Sequence, residues 1–199
     1  MRAAVFAFGG RDGAADVDNL SIVPFHRILL LAPWAEVAGY GSAGAYPQRV
    51  GALALRGRRK GNRGPIQFPS PDQVSPWTSM VRPEWPDPLA PCRGYVLPTG
   101  LPITLQFSDG KVAHLESATL HDDQGNALEI CAYDAASYTN QSVESERWGI
   151  NSLLMSGAAV VIPKQPLRPG HNYTVAIRAR GTNYSWSFRA VPSAEISAR

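Results

Sequence analysis

From Pro102 onward the chain is written in short runs of alternating apolar and polar residues, cut by turn residues at near-regular intervals, and this pattern restricts the fold more than any other feature. ITLQF stops at SDGK, HLESATLHD meets DQGN, ALEICAYD follows, and NYTVAIRAR returns as NYSWSFRAV around Gly181 and Thr182. Side chains alternate sides along a strand, so a sheet buried on one face needs this two-residue period. Several such runs bounded by turns make an all-β sandwich, read here as immunoglobulin-like and spanning residues 95–192, with 193–199 as a tail. In the last hairpin Tyr173, Val175 and Ile177 form the expected buried row, and Tyr184, Trp186 and Phe188 the answering one. DQGN predicts a hairpin from Leu115 to Tyr133. A polar loop is expected next, and AAVVIPKQPL reads as an edge strand running into a Pro-Gly turn. These strands account for their own apolar residues, so this region is expected to fold by itself.

The preceding residues, 58–94, carry prolines too densely for regular structure: PIQFPSPDQVSPW and RPEWPDPLAPCRG read as a stiffened linker. Its aromatic residues Phe68, Trp77 and Trp85 are the expected footholds on a neighbouring surface. Residues 1–57 suggest a small α/β segment. A short helix is expected near Phe25 to Leu31, since proline suits a first helical turn and Pro33 ends it. Strand-like pieces follow at Glu36 to Tyr40 and Val50 to Leu55. The expected class is therefore mainly β, with a small α/β segment at the N-terminus.

Charge and motifs exclude several functions. From Val37 to Pro71 there is no acidic residue, while RGRRKGNRG, residues 56–64, gathers five cations. This run could meet phosphates but offers no aromatic platform for bases, so a solvated linker is the expected role and no nucleic-acid partner is expected. LSIVPFHRILLLAPW is interrupted by His26, Arg27 and two prolines, whereas a membrane helix needs about 20 apolar residues. No secretory signal opens the sequence as written. GYGSAG, Gly39 to Gly44, matches the dinucleotide fingerprint by letter, but Tyr46-Pro47 follows where a helix must begin. Ser42 lacks the flanking glycines of a nucleophile elbow. His114, His121 and His171 are scattered over the β region and suit surface positions.

DNLSIVPFHRILLLAPWAEVAGYG resembles the closing part of the CAP domain, the fold of cysteine-rich secretory, antigen 5 and pathogenesis-related proteins, in its bacterial form. The residues that carry the likeness are Ser21, His26-Arg27, Leu29-Leu30, Pro33 and Ala38-Gly39-Tyr40-Gly41. PIQFPSPDQVSPW, EWPDP, GYVLPTGLPITLQF and VVIPKQPLRPGHNYTV resemble the connector and β-sandwich tail of some bacterial members. The resemblance implies a truncated CAP remnant at 1–57, on which reading Met1 follows a missing part of the domain. It also implies a cleft in which two histidines and two acids can hold a divalent metal, and His26 resembles the second histidine. Before His26 the acids are Asp12, Asp16 and Asp18, with no other histidine and no glutamate. One imidazole cannot supply the three or four protein ligands of a metal site. His26 is accordingly read as a structural histidine at the start of a helix or, alternatively, as a remnant ligand with at most weak divalent-metal affinity, and no cofactor is expected.

Cys92 and Cys131 stand far apart and in no metal-ligand spacing. A disulfide between them would clamp the connector onto the sandwich, worth about 3–4 kcal/mol by loop closure; two reduced thiols are the other reading. The functional expectation is a non-enzymatic secreted or surface-associated binding module whose extracellular partner is a lipid, glycan or protein. The alternatives are a metal-dependent hydrolase through His26 and, more remotely, nucleic-acid binding by the basic run.

Overall fold

A computed structural model describes residues 2–57, 65–107, 109 and 111–191. The basic run from residue 58 and the tail from 192 lie outside them. Within them the chain is mainly β and builds several antiparallel sheets.

The N-terminal sheet is formed by β1 (Arg2–Phe8), β2 (Ala35–Ala43) and β3 (Val50–Gly57), in the order β1-β3-β2 and antiparallel throughout. Between β1 and β2 lie α1 (Gly13–Ser21) and α2 (Pro24–Leu30). Asp12 caps α1 by accepting from the Ala15 N–H at 2.9 Å, and Pro24 occupies the first turn of α2, as the sequence suggests. The buried Asp16 on α1 accepts from the Tyr40 hydroxyl and the Arg49 guanidinium, both at 2.5 Å. Its carboxylate fits because Gly10 and Gly51 face it; a Cβ at Gly51 would stand 2.1 Å from Asp16 Oδ2.

The proline-dense connector is more regular than its composition suggests. It contributes β4 (Ile66–Phe68), β5 (Val74–Ser75) and β6 (Ser79–Met80), and β6 pairs with β7 (Thr99–Gly100) just beyond it. Short edge pairings tolerate nearby prolines because an edge strand needs donors on one side only. Phe68 is buried and Trp77 half-buried with ring centres 6.1 Å apart, and Trp85, about half exposed, lies with its ring centre 6.0 Å from that of Trp148, so all three expected footholds pack on a neighbour.

The remaining strands are β8 (Ile103–Gln106), β9 (Leu115–Asp122), β10 (Ile130–Asp134), β11 (Ala158–Pro163), β12 (Asn172–Ala179) and β13 (Thr182–Ala190), with α3 (Val143–Ser156) between β10 and β11. They form two four-stranded sheets, β10-β11-β8-β4 and β5-β13-β12-β9. Ile103, Leu105, Ala159 and Val161 from the first share one core with Leu120, Tyr173, Val175, Ile177, Trp186 and Phe188 from the second. The β12–β13 hairpin is as expected, turning through Arg180 and Gly181, both at positive φ.

Three expectations fail here. The Leu115–Tyr133 hairpin is not formed: the DQGN turn exists, with one bridge between His121 and Ala127, but β9 then pairs with β12 and β10 with β11. The turn thus joins two different sheets. AAVVIP is not an edge; β11 lies between β10 and β8 and is buried at every position, which its unbroken apolar run permits. The polar loop is largely α3, capped by the Ser142 hydroxyl and ended by Gly157 in the left-handed conformation.

Helix α2 sits between these bodies. Phe25 and Ile28 join a second core with Tyr133, Tyr138, Leu153, Val160 and Ile162, on the face of the first four-stranded sheet turned away from the second. Leu29 and Leu30 pack with Val5, Ala7 and Leu20 toward the N-terminal sheet.

Candidate functional site

Helix α2 begins without a cap of its own. Val23 stands at the N-cap position with no side-chain acceptor, and Pro24 has no N–H, so the first donors to satisfy are the backbone N–H groups of Phe25 and His26. Glu84, from the connector, satisfies both, accepting at 2.9 Å from Phe25 and 2.6 Å from His26. The same carboxylate accepts from His26 Nδ1 at 2.5 Å. The Glu84 side chain is fully buried, whereas 29% of the His26 side chain remains exposed. A carboxylate at a helix N-terminus also meets the positive end of the helix dipole. His26 therefore lies at the surface with Nδ1 engaged and its ring held by the connector.

Arg27 goes the other way. It is fully buried, donates to the carbonyls of Ser21 at 2.8 Å and Pro102 at 2.6 Å, and stacks over the Phe68 ring at 4.1 Å. Burial pulls its guanidinium down to about 9, a shift partly opposed by the negative charge of Glu84 and by Tyr133. It still carries its charge at neutral pH, and it ties α2 to the chain just before β8.

Two clefts open beside His26. One, of about 380 Å³, lies between β1 and α3, with Phe25, His26 and Leu29 from α2 and Trp148 and Met155 from α3. The other, of about 450 Å³, continues past Phe6 and Phe8 toward Val23 and Arg82. Trp85, Phe6 and His26 line both. Trp85 and Trp148 are about half exposed with ring centres 6.0 Å apart, and Trp85 Nε1 donates to the Ser145 hydroxyl at 2.9 Å. Apart from Arg2 and the His26 ring, the first cleft offers mainly hydrocarbon and aromatic surface, with Asn151 and Ser152 as uncharged polar groups. The Ser152 hydroxyl donates to the Trp148 carbonyl and not to the imidazole.

The other residues singled out in the sequence are dispersed. Asp12 caps α1, Asp16 is engaged with Tyr40 and Arg49, and Asp18 is raised by partial burial and by Asp12. Among the described residues no three His, Cys, Asp or Glu side chains gather in a way that could hold a metal ion. His114 is exposed at positive φ, His121 ends on β9, and His171 pairs with Asp123 at 2.9 Å. Gly39, Gly41 and Ser42 lie on β2 and Gly44 in its turn, with no helix following. Cys92 and Cys131 are joined in a disulfide, which ties the connector to β10. No described helix is long and apolar enough to cross a membrane.

Sequence reasoning missed Glu84 and Trp148. The signal for Glu84 was indirect: a helix beginning Val-Pro with no Ser, Thr, Asp or Asn before it requires an acceptor from elsewhere. Trp148 sits on the helix read as a loop. No family model matches this chain. No curated protein matches it, and no solved structure matches its fold.

Proposed function

We propose that this chain is a non-enzymatic binding module, secreted or surface-associated, whose ligand site is the apolar cleft between β1 and α3. The observation that carries this reading is the engagement of Glu84: its carboxylate is buried and serves the end of α2, so the acid that holds His26 does structural work. What remains open to a ligand is mostly aromatic and aliphatic surface, suited to binding more than to proton transfer. The disulfide favours an oxidising compartment, and the residues of DNLSIVPFHRILLLAPWAEVAGYG favour kinship with the CAP domain. The two four-stranded sheets with a shared core support an immunoglobulin-like tail.

The test is a titration with anilinonaphthalene sulfonate, read by energy transfer from Trp85 and Trp148. Saturable binding is expected, weakened by Trp148→Ala without a change in thermal midpoint, since Trp148 is about half exposed. Absence of saturable binding to the folded protein would refute the reading.

A metal-dependent hydrolase is the second reading, favoured by an imidazole and a carboxylate 2.5 Å apart beside a cleft. Two ligand groups fall short of the three or four that hold catalytic zinc. Calorimetric titration is expected to show no zinc binding tighter than roughly micromolar, about −8 kcal/mol. Tight zinc binding abolished by His26→Ala, together with zinc-dependent ester hydrolysis, would replace the binding module with an enzyme.

A further inference from the structure

β1 is an edge strand. It pairs with β3 over seven positions, from Arg2 with Arg56 to Phe8 with Val50, without a register shift, and its other side has no strand partner among the described residues. Such an edge presents a row of backbone donors and acceptors, which proteins ordinarily blunt with charge, proline or a bulge. β1, RAAVFAF, carries none of these between Ala3 and Phe8. The opposite edge, β2, is treated differently, with a bulge between Ala35 and Val37 and glycines at 39 and 41.

The two clefts beside His26 together follow this edge along its whole length. The first is lined by residues 2–6 of β1 and the second by Phe6, Ala7 and Phe8, and Phe6 and Trp85 border both. Seven strand residues span about 23 Å. Volumes of about 380 and 450 Å³ suit the side chains of one extended chain. Phe6 and Phe8 are 50% and 68% exposed at the rim. The charges at the two ends are alike: Arg2 in the first cleft and Arg82 in the second are cations, while Glu84, the one acid among the described residues lining either cleft, is spent on α2.

We propose that β1 and its flanking clefts bind an extended polypeptide segment by strand addition, and that the segment has an apolar, β-prone centre with acidic residues at its ends. Backbone hydrogen bonds to β1 supply sequence-tolerant affinity, the aromatic clefts take alternate side chains, and Arg2 and Arg82 select acidic flanks. The proposal rests on the binding-module reading and names its partner.

The test uses the full chain and fluorescent synthetic peptides of roughly ten residues, a length matched to the edge. The first alternates valine and threonine between paired glutamates. The second carries lysines at the ends, and the third keeps glutamates but places proline at alternate central positions, removing the donors a strand needs. Anisotropy should show saturable binding of the first peptide, and binding of the second and third weaker by about tenfold or more. The double variant R2E/R82E should lose about tenfold for the glutamate-flanked peptide and gain for the lysine-flanked one, with its thermal midpoint unchanged. Equal binding of the first and third peptides would overturn strand addition, and failure of the charge exchange would overturn the role of the two arginines. Sedimentation showing a dimer that the first peptide does not dissociate would assign the edge to a second copy and also overturn the proposal. If anilinonaphthalene sulfonate binds and the first peptide does not, the proposal alone fails; if neither binds, the binding-module reading fails with it.

Discussion

Glu84 accepts three hydrogen bonds from two consecutive residues of α2, and these residues lie 59 and 58 positions away in sequence. A carboxylate offers two oxygens with about four lone-pair positions, so one buried side chain can close a helix end and hold an imidazole together. Glu84→Gln keeps the shape but replaces one acceptor oxygen by an amide nitrogen, which turns a donor toward groups that also donate. A loss of about 1–3 kcal/mol is expected from urea denaturation midpoints, the scale of bonds broken in a buried setting. His26→Ala removes one bond and leaves both backbone donors satisfied, so about 1 kcal/mol is expected. A His26→Ala loss larger than that of Glu84→Gln would show that the ring, and not the helix end, is what Glu84 serves. The sequence made His26 visible as a helix-start histidine but hid its partner, because hydrophobic period and capping signals are local and this contact is not. Asp16 was hidden in the same way: the sequence shows it only as one of three acids before His26, and its bonds to Tyr40 and Arg49 come from a later hairpin.

Elements were legible where burial follows a simple period. β12 and β13 alternate cleanly and were read correctly; α3 was not, because it buries small residues. Ser145, Gly149, Ser152, Leu153 and Ser156 form its inner stripe, and a Cβ at Gly149 would stand 2.3 Å from the Tyr138 ring. A stripe of serine and glycine has helical spacing but almost no hydrophobic contrast. The ends of β9, β12 and β13 are held by carboxylates. Glu116 is lowered first by the Gly181 N–H and then by Arg178, Asp122 by Asn126, and Asp123 by His171. Burial works against Asp109, yet its paired bonds to Arg180 and the Lys111 backbone hold it below the usual carboxylate range. Each of these groups has a folded value below its unfolded one, so between the two values the unfolded chain carries more protons and stability rises with pH. Their contribution is complete above the unfolded carboxylate range, about pH 4, and is lost as pH falls through the folded values. Thermal midpoints are therefore expected to fall below about pH 4, and Glu116→Gln should flatten part of that fall. A midpoint that rises on acidification would contradict the assignment.

At the scale of the whole molecule, α2 joins what the sequence pattern separates. Composition and proline density suggest a small α/β segment, a linker and a self-sufficient sandwich. The two four-stranded sheets do share one core between them, but the outer face of the first carries a second one that Phe25 and Ile28 complete. Ile28 contributes twice, since its carbonyl accepts from Gln106 at 2.8 Å and from the Ser156 hydroxyl at 3.2 Å. No local pattern could reveal this, because seven residues with an apolar stripe read the same whichever sheet they cover. A fragment of residues 65–191 keeps every strand of both four-stranded sheets and both cysteines, and lacks α2. It leaves Tyr138, Val160 and Ile162 uncovered, and Gln106 and Ser156 without their acceptor. Burial of Phe25 and Ile28 is worth about 3–6 kcal/mol, a large share of the stability of a domain this size. The fragment is therefore expected to melt at a lower temperature than the full chain and with a less cooperative transition. Adding a synthetic peptide of residues 20–34 should raise that midpoint, because it restores the covering helix with Arg27 and its bond to the Pro102 carbonyl. The same peptide with Phe25 and Ile28 replaced by serine should have no effect. A fragment that melts like the full chain and ignores the peptide would mean that the second core is dispensable and that the two four-stranded sheets stand alone.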